Sequence, residues 1–220
     1  MLYRIAKNIS RRPVNSAIRN FCLNLPESCR VLCVGSGGPI EEIVRSSTAD
    51  RNIEVVTSDV DGTRSPMIID DICASCLPDG SFQAIIVAEV FEHLKDPQAA
   101  SSEILRLLSH DGVAIVTTPF IFMIHDSPHD YFRYTRYSLL NLFSNFSNVE
   151  VVERGHWLDA IALLVLRMPM IGGKFSRIAA WTLAPPVLLL RALFRKAKPV
   201  KAWLMPVGYI VTVECARPRI

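Results

Sequence analysis

The chain has 220 residues, half of them hydrophobic, with 24 basic and 21 acidic side chains and a formal net charge of +3. This length suffices for one domain with a full core and an appendage. The charge is too small to indicate a nucleic-acid-binding protein, so no nucleic-acid partner is expected. Cysteines such as Cys22, Cys33 and Cys215 lie within apolar runs, which favours reduced core thiols of a cytoplasmic protein over a disulfide framework.

The first 29 residues are predicted to form one or two helices. Leu2, Ile5 and Ile9 fall on one helical face, with basic residues around them. The stretch "MLYRIAKNISRRP" carries charges without a long apolar core after them, so it is not interpreted as a secretory signal.

From residue 30 onward, strand-like and helical segments alternate. The predicted strands cover 30–35, 52–59, 67–72, 81–90, 112–120 and 148–157, and the predicted helices cover 39–47, 96–109 and 135–146. Pro39 and Thr135 are residue types that begin helices. Alternation with short connections predicts an α/β fold, a doubly wound and mostly parallel sheet. Short apolar strands such as "AIIV" fit burial on both faces.

Two apolar segments follow residue 157. "LDAIALLVLRMPMIGG" and "RIAAWTLAPPVLLLRALFRKAK" are interrupted by Pro and Arg, and neither has the roughly 18 unbroken apolar residues of a spanning helix. They predict a helical hairpin on a membrane surface, with a helical cap or a dimer surface as the alternative. Its basic residues would lie near lipid headgroups, namely Arg167, Lys174, Arg177, Arg191, Arg195, Lys196 and Lys198. Residues 206–218 then resemble a final strand.

The glycine-rich stretch "VLCVGSGGPI" is the strongest local signal. A strand that runs into Gly35 and Gly37 before a helix lets a ligand approach the backbone, although a tight turn needs the same residues. Asp59 closes the next strand 24 residues after Gly35 (59 − 35). An acid at that position can accept hydrogen bonds from ribose hydroxyls. Asp61 is the alternative acid.

Four stretches together resemble the class I S-adenosylmethionine-dependent methyltransferases: "RVLCVGSGGPI", "VVTSDVD", "DDICASCLPDGSFQAIIVAEVFEHLKDP" and "LLSHDGVAIVTTPF". The resemblance covers roughly residues 28–157. It implies a seven-stranded Rossmann-like sheet whose last strand is antiparallel, with S-adenosylmethionine as the cofactor. A dinucleotide oxidoreductase is disfavoured, because G-x-G-G-P differs from G-x-G-x-x-G.

The resemblance also implies cofactor-binding residues. Gly35 and Gly37 would line the methionine and ribose side, Asp59 would hold the ribose hydroxyls, Asp71 with the backbone of Ile72 would face the adenine, and Glu89 would border the transferred methyl group. Two positions depart from the family pattern. Cys33 stands where the family usually has an acid, and Pro39 stands where it often has a third glycine. Both departures would weaken cofactor binding.

The stretch "HDSPHDYFRYT" follows the fifth predicted strand, where an open parallel sheet binds ligands. It resembles a motif in a subset of these methyltransferases that is linked to polysaccharide or lipid-linked glycan assembly. His125 and His129 are the candidate bases, with Asp126 or Asp130 orienting the ring. This loop would also supply the acceptor-binding residues, with Arg133 holding an anionic group and Tyr131 and Tyr134 contacting a sugar.

Two simpler interpretations of that stretch stay open. Asp130 and Arg133 can pair only with each other, and Thr135 can merely cap the next helix. A metal site is not expected. Pro128 argues against a helix that would align His125 with His129, and no Cys or Glu nearby in the sequence completes a ligand shell.

The predicted organisation has four segments. Residues 1–29 form a helical start, 30–157 a cofactor-binding core, 158–200 an apolar helical insertion and 201–220 a closing strand. The predicted function is methyl transfer from S-adenosylmethionine to a small or lipid-linked glycan acceptor, in the cytoplasm at the inner membrane face. The alternative is a catalytically silent methyltransferase-like partner in an assembly complex. The sequence predicts no oligomeric state.

Overall fold

A seven-stranded sheet organises the computed structural model, which describes residues 1–35, 37–194 and 204–216. The strands are β1 (Ser28–Val34), β2 (Asn52–Asp59), β3 (Ile68–Ile69), β4 (Phe82–Ala88), β5 (Leu108–Pro119), β6 (Asn148–Arg154) and β7 (Gly208–Cys215). Their order is β3-β2-β1-β4-β5-β7-β6. Strands β1 to β5 pair in parallel, and β7 lies antiparallel between β5 and β6. The predicted doubly wound, mostly parallel α/β sheet is confirmed.

Six helices flank the sheet in the described part of the chain. They are α1 (Leu2–Leu23), α2 (Pro39–Thr48), α3 (Pro97–Leu107), α4 (Arg136–Leu142), α5 (Trp157–Ile171) and α6 (Lys174–Phe194). The first 29 residues thus contain one long helix, which continues through Pro13. Thr135 caps α4, where its side chain and that of Ser138 bond each other's backbone N–H.

Alternating strand residues build a core on each face of the sheet. Leu32 and Ile85 face one cluster, which includes Ile104 of α3. Val31 and Ile86 face the other, together with residues of α1 and α2. This alternation is the two-residue period of a strand, and it explains why the central strands are apolar throughout.

Two predicted strands end earlier than the sequence indicated, for a shared reason. Strand β4 stops at Ala88 because Glu89 adopts a left-handed φ of 56°, and β6 stops at Arg154 because Gly155 has a φ of 79°. A left-handed residue breaks the extended path of a strand. In both cases the turn directs the following residues away from the sheet at its carboxyl edge.

The apolar insertion is a helical hairpin, as predicted. Ala160 and Leu163 of α5 pack with Ala180 and Ala184 of α6 in a cluster that also receives the start of α1. Arg191 donates to Asp159 and ties the end of α6 to the start of α5. The predicted headgroup-facing residues Arg195, Lys196 and Lys198 lie outside the described residues, as do parts of the closing segment 201–220.

Helix α6 is longer and more continuous than the sequence indicated. It runs for 21 residues through Pro185 and Pro186, and by length and composition it could cross a membrane. The expectation that neither apolar segment was long enough is therefore wrong for α6. Only 11% of its most apolar window is buried, so it is not a core helix.

Candidate active site

The glycine turn after β1 has a backbone that only glycine accommodates easily. Gly35 and Gly37 have φ values of 83° and 78°. A Cβ on Gly35 would lie 2.9 Å from Val90 Cγ2, and one on Gly37 would lie 2.9 Å from the carbonyl oxygen of Arg64. The turn is therefore shaped closely against its surroundings.

Glu41 of α2 holds this turn in place. Gly37 N–H donates to Glu41 Oε2 over 3.0 Å, and Arg45 Nε donates to Oε1 over 2.8 Å. The hydrogen bond from Gly37, assisted by Arg45, holds the pKa of Glu41 below its usual range. Sequence analysis overlooked Glu41, although an acid in the first turn of the helix after a glycine loop is a readable signal.

The other predicted cofactor residues meet the glycine turn at the same edge of the sheet. Gly35 N–H donates to the carbonyl of Ser58, and Asp70 N–H donates to the carbonyl of Asp59. Asp59 is 8% exposed, and its Oδ1 accepts a hydrogen bond from Asp61 N–H over 2.9 Å.

Asp71 and Ile72 come directly after this edge. The Asp71 side chain is exposed and accepts a hydrogen bond from Cys73 N–H, while Ile72 is buried. The structure thus brings the glycine turn, the end of β2 and the segment after β3 together, as the resemblance implied.

Glu89 forms a buried ion pair that the sequence did not reveal. Its Oε1 accepts hydrogen bonds from Arg154 Nη1 over 2.7 Å and from Thr117 Oγ1 over 3.0 Å. The Arg154 charge holds the pKa of Glu89 below its usual range despite burial, which acts in the opposite direction. Gly208 makes room for this arginine, since a Cβ there would lie 2.6 Å from Arg154 Nη2.

The loop after β5 is organised around Asp130. This carboxylate accepts two hydrogen bonds from Arg133, at 2.6 and 2.7 Å, and one from His125 N–H at 2.9 Å. The Arg133 bonds hold the pKa of Asp130 far below its usual range. His125 Nδ1 lies 3.2 Å from Asp130 Oδ2. Because a carboxylate only accepts, Nδ1 carries the proton and Nε2 presents a lone pair.

The geometry favours structural roles for two residues that were predicted to bind the acceptor. Arg133 also donates to the carbonyls of Phe132 and Met123, so its fork is directed at the protein. Tyr134 is 6% exposed, donates to the carbonyl of Phe91 and packs in the core. Both contacts fit the simpler interpretation of the motif.

His129 and Tyr131 remain on the surface of the same loop. Their side chains are exposed, and His129 Nδ1 lies 2.8 Å from the Tyr131 hydroxyl. They are open to solvent at the carboxyl edge of the sheet, so their predicted contact with the acceptor stays a prediction.

Glu92 and His93 lie beside His125, which the sequence argument against a metal did not foresee. Glu92 Oε1 is 3.8 Å from His93 Nε2 and 3.9 Å from His125 Nε2. The reason given against a ligand shell, that no glutamate lies nearby, is therefore wrong. Burial, assisted by the Glu89 charge, raises the pKa of Glu92 well above its usual range.

A small apolar cavity of about 80 Å³ separates this loop from α5. Phe122 and Leu163 line it, and Arg167 stands at its wall with the guanidinium 4.0 Å above the Phe122 ring. Phe122 in turn contacts His125 edge to face, with ring centroids 5.2 Å apart. The cavity thus connects the hairpin with the acceptor side of the site.

Comparison with known proteins supports the same interpretation of this edge. Residues 32–116 match the family described as "Methyltransferase domain". This range begins in β1 and ends in β5, and includes the glycine turn, Asp59 and Glu89. Residues 32–116 therefore form a methyltransferase domain. S-adenosylmethionine is its cofactor.

Solved structures share the fold of this methyltransferase at low sequence identity. A SAM-dependent methyltransferase from Archaeoglobus fulgidus is 12% identical, with a TM-score of 0.60 over 96% of this chain and 98% of that one. A phosphoethanolamine N-methyltransferase 2 from Haemonchus contortus, solved with S-adenosylmethionine, is 15% identical, with a TM-score of 0.57 over 94% of this chain and 52% of that one.

A further neighbour separates the fold from the reaction. The 4+2 cyclase SpnF is 17% identical, with a TM-score of 0.57 over 80% of its chain and 92% of this one. No curated protein matches the chain by sequence. Likeness at this level of identity describes the fold, so the acceptor of the methyltransferase has to be argued from its own residues.

The residues at the glycine turn fit S-adenosylmethionine. The Cβ position of Gly38 faces open space, with no atom within 4 Å, and the Asp59 carboxylate stands at the adjoining strand end. Cys33 is the departure: it is fully buried, and burial raises the pKa of its thiol to about 12. It therefore packs as a small apolar side chain and offers the cofactor no charge.

All six cysteines of the methyltransferase are free thiols, as expected. Cys73 and Cys76 have C-x-x-C spacing, but their sulfurs point to different oxygens, the Asp96 carbonyl and the Asp70 carboxylate. Burial raises the pKa of Cys73 to about 11, and the hydrogen bond to Asp70 raises that of Cys76. Raised thiol pKa values disfavour a redox role.

Proposed function

We propose that this methyltransferase transfers a methyl group to a hydroxyl of a lipid-linked sugar at the cytoplasmic face of a membrane. The observation that carries the proposal is the apolar cavity between the loop after β5 and helix α5. An acceptor that is part lipid and part sugar suits a site with an apolar wall on one side and polar groups on the other.

The cavity wall offers a place for the linkage between lipid and sugar. Arg167 is half-buried, and its Nε is buried without a hydrogen-bond partner in the described part of the chain. Burial lowers the pKa of its guanidinium but leaves it charged. A phosphate next to the cavity would supply the acceptor oxygens that Arg167 lacks. The sugar would then reach the loop that carries His125 and His129.

The outer face of the hairpin supports a position on a membrane. Apolar side chains on α6 are exposed, and these are Phe175, Ile178, Trp181, Leu183, Leu189, Leu190, Leu193 and Phe194. Lys174 and Arg177 lie at the start of the same helix. An exposed apolar surface with flanking basic groups is typical of helices that lie in the membrane interface.

A surface position fits the hairpin better than a span. Crossing the bilayer would require α6 to leave α5, which would separate Arg191 from Asp159 and uncover Ala180 and Ala184. Charged groups inside a bilayer are costly. The hairpin would instead insert its outer face while its inner face stays on the core.

The proposed chemistry assigns orientation and proton transfer to the loop after β5. When bound, S-adenosylmethionine supplies an electrophilic methyl group. His125 and His129 are the groups proposed to accept the proton of the acceptor hydroxyl, since a neutral imidazole is a suitable base near neutral pH. Asp130 holds His125 through the Nδ1 contact and so fixes which nitrogen faces outward.

The test of function is a methyl-transfer assay with labelled S-adenosylmethionine. Polyprenyl-phosphate-linked sugars and the same sugars without lipid are compared as acceptors in mixed micelles. The proposal expects transfer to the lipid-linked form, and at least about a tenfold loss for Arg167→Met, corresponding to one charge-assisted hydrogen bond. Equal use of the free sugar would contradict it. Cofactor binding without transfer to any acceptor would favour the silent partner instead.

The test of location is flotation with vesicles that contain anionic lipid. Ile178→Glu combined with Leu189→Glu should abolish flotation, whereas Leu23→Glu, a change of an equally exposed leucine on α1, should not. Alkaline carbonate should release the wild-type protein from the vesicles. Resistance to carbonate would indicate a spanning α6.

A further inference from the structure

Four side chains from two loops converge at the carboxyl edge of the sheet. Glu92 and His93 lie in a 3-10 turn after β4, and His125 and Asp126 lie in the loop after β5. The ligand atoms of Glu92, His93 and His125 are all within 4.8 Å of one another. Asp126 Oδ2 is 3.9 Å from His93 Nε2 and 4.0 Å from His125 Nε2.

These separations are too long for hydrogen bonds but close to those of a shared ligand shell. A donor and an acceptor that are 3.8 Å apart do not form a hydrogen bond. Nitrogen and oxygen ligands of a tetrahedral ion, bound at about 2.0–2.1 Å, lie about 3.4 Å from one another. Side-chain rotations of about half an ångström would therefore bring the four groups around one ion.

Both imidazoles are already fixed with the same nitrogen directed inward. His93 Nδ1 lies 2.6 Å from the carbonyl oxygen of His129, and His125 Nδ1 lies 3.2 Å from Asp130 Oδ2. Neither oxygen can donate a hydrogen, so each Nδ1 carries the proton. Each Nε2 then presents its lone pair toward Glu92. A carbonyl or carboxylate behind the ring is the usual support of a metal-binding histidine.

Glu92 is the observation that points to a ligand. Its side chain is completely buried, and neither carboxylate oxygen has a hydrogen-bond partner among the residues that the structure describes. A buried carboxylate without a partner is costly. Its Oε1 faces the two Nε2 atoms, which in this tautomer have no proton to donate. A cation between them would complete all three groups.

We propose that Glu92, His93 and His125 bind a divalent transition-metal ion, with Asp126 as the exposed fourth ligand. Two imidazoles and a carboxylate select ions such as Zn²⁺, Fe²⁺ or Co²⁺ over Mg²⁺ and Ca²⁺, which prefer oxygen. Asp126 is 77% exposed, so it is the ligand that an incoming molecule would displace.

The role of this ion rests on the proposed function. A hydroxyl that coordinates a divalent ion loses its proton more readily, which would favour an oxygen acceptor. Coordination occupies His125 Nε2, so His129 is then the imidazole of this loop that is free to accept a proton. The binding site itself does not depend on the identity of the acceptor.

The experiment titrates the tag-free, chelator-treated full chain with Co²⁺ and follows visible absorption. The wild type should bind one equivalent with the intense bands of a four- or five-coordinate ion. His93→Ala and His125→Ala should each lose at least about tenfold in affinity. The matched control is His110→Ala, which changes a histidine near the amino end of β5, beside Asp111.

A second measurement guards against variants that fail to fold. Zn²⁺ should raise the unfolding temperature of the wild type and of His110→Ala, and leave that of Glu92→Gln unchanged, while circular dichroism confirms that each variant is folded. Absence of stoichiometric Co²⁺ binding by the wild type would overturn the site. So would unchanged affinity in His93→Ala and His125→Ala. Neither result bears on methyl transfer, so the proposed function is tested separately.

Discussion

Arg154 donates to Glu89 across 65 residues of sequence, and both side chains are almost fully withdrawn from solvent. Arg154 ends β6, and Glu89 follows β4. The pair therefore connects two strands that are not neighbours in the sheet. It fixes the turn that carries Glu92 and His93 against the antiparallel end of the sheet.

Breaking this pair from one side should be more costly than removing it. We expect Arg154→Met and Glu89→Gln each to lower the free energy of unfolding by about 3–5 kcal/mol, since each leaves a buried group without its partner. The double variant should lose less than the sum. Urea denaturation of the four proteins measures this coupling.

An exposed ion pair provides the control for the buried one. Arg30 and Glu54 form a 3.0 Å pair with side chains that are 39% and 59% exposed. Arg30→Met should change stability by no more than about 1 kcal/mol. Additive losses for Glu89 and Arg154 would show that the two residues act independently.

Gly37→Ala should damage the cofactor site, and Gly38→Ala should not. At Gly37 the new Cβ meets the Arg64 carbonyl and the left-handed φ costs about 1–2 kcal/mol. At Gly38, φ is −137° and the Cβ position is open. We expect S-adenosylmethionine affinity to fall at least about tenfold for Gly37→Ala, the equivalent of about 1.4 kcal/mol. Calorimetric titration of both variants decides this, and equal losses would refute the geometric argument.

Glu92→Gln should stabilise the protein when metal is absent. The substitution replaces a buried carboxylate that has no partner with an amide, whose N–H can donate to a histidine Nε2. We expect a gain of about 1–3 kcal/mol in the free energy of unfolding, measured by urea denaturation with a chelator present. Glu42→Gln, an exposed change in α2, serves as the reference. A loss of stability would mean that the carboxylate has a stabilising partner.

Glu41 should make stability depend on pH in acid. Its folded-state pKa is lowered by Gly37 N–H and Arg45, so its contribution is present above the unfolded-state pKa of about 4.3 and is lost as pH falls through the folded value. Wild type and Glu41→Gln should therefore differ most near neutral pH and converge below about pH 3. Thermal unfolding at several pH values measures this, and a constant difference would contradict it.

The local parts of the site were readable in the sequence because each depends on a few neighbouring residues. Gly35 and Asp59 end predicted strands, and parallel strands bring such ends to one edge. The cap on α4 follows from Thr135 alone. In contrast, Glu89 meets Arg154, and Glu92 meets His125, only after the chain has passed through one or more strands. No spacing rule predicts such contacts.

Tyr134 shows the opposite limit, because a residue inside a conspicuous polar motif proved to be a core residue. Its hydroxyl satisfies the Phe91 carbonyl and its ring packs on Phe91. Amphipathic side chains are assigned to core or surface by their neighbours, which composition does not identify. The same holds for α6, where two prolines indicated an interruption but the helix continues.

The position of β7 sets an order of events during synthesis. Strand β6 pairs with β7 and not with β5, so it has no place in the sheet until the chain beyond the hairpin has left the ribosome. The hairpin emerges first, while the edge of β5 is still bare. A nascent chain would thus present its greasiest segment to chaperones or lipid before its own core can close, which makes early capture of the hairpin a safeguard against aggregation.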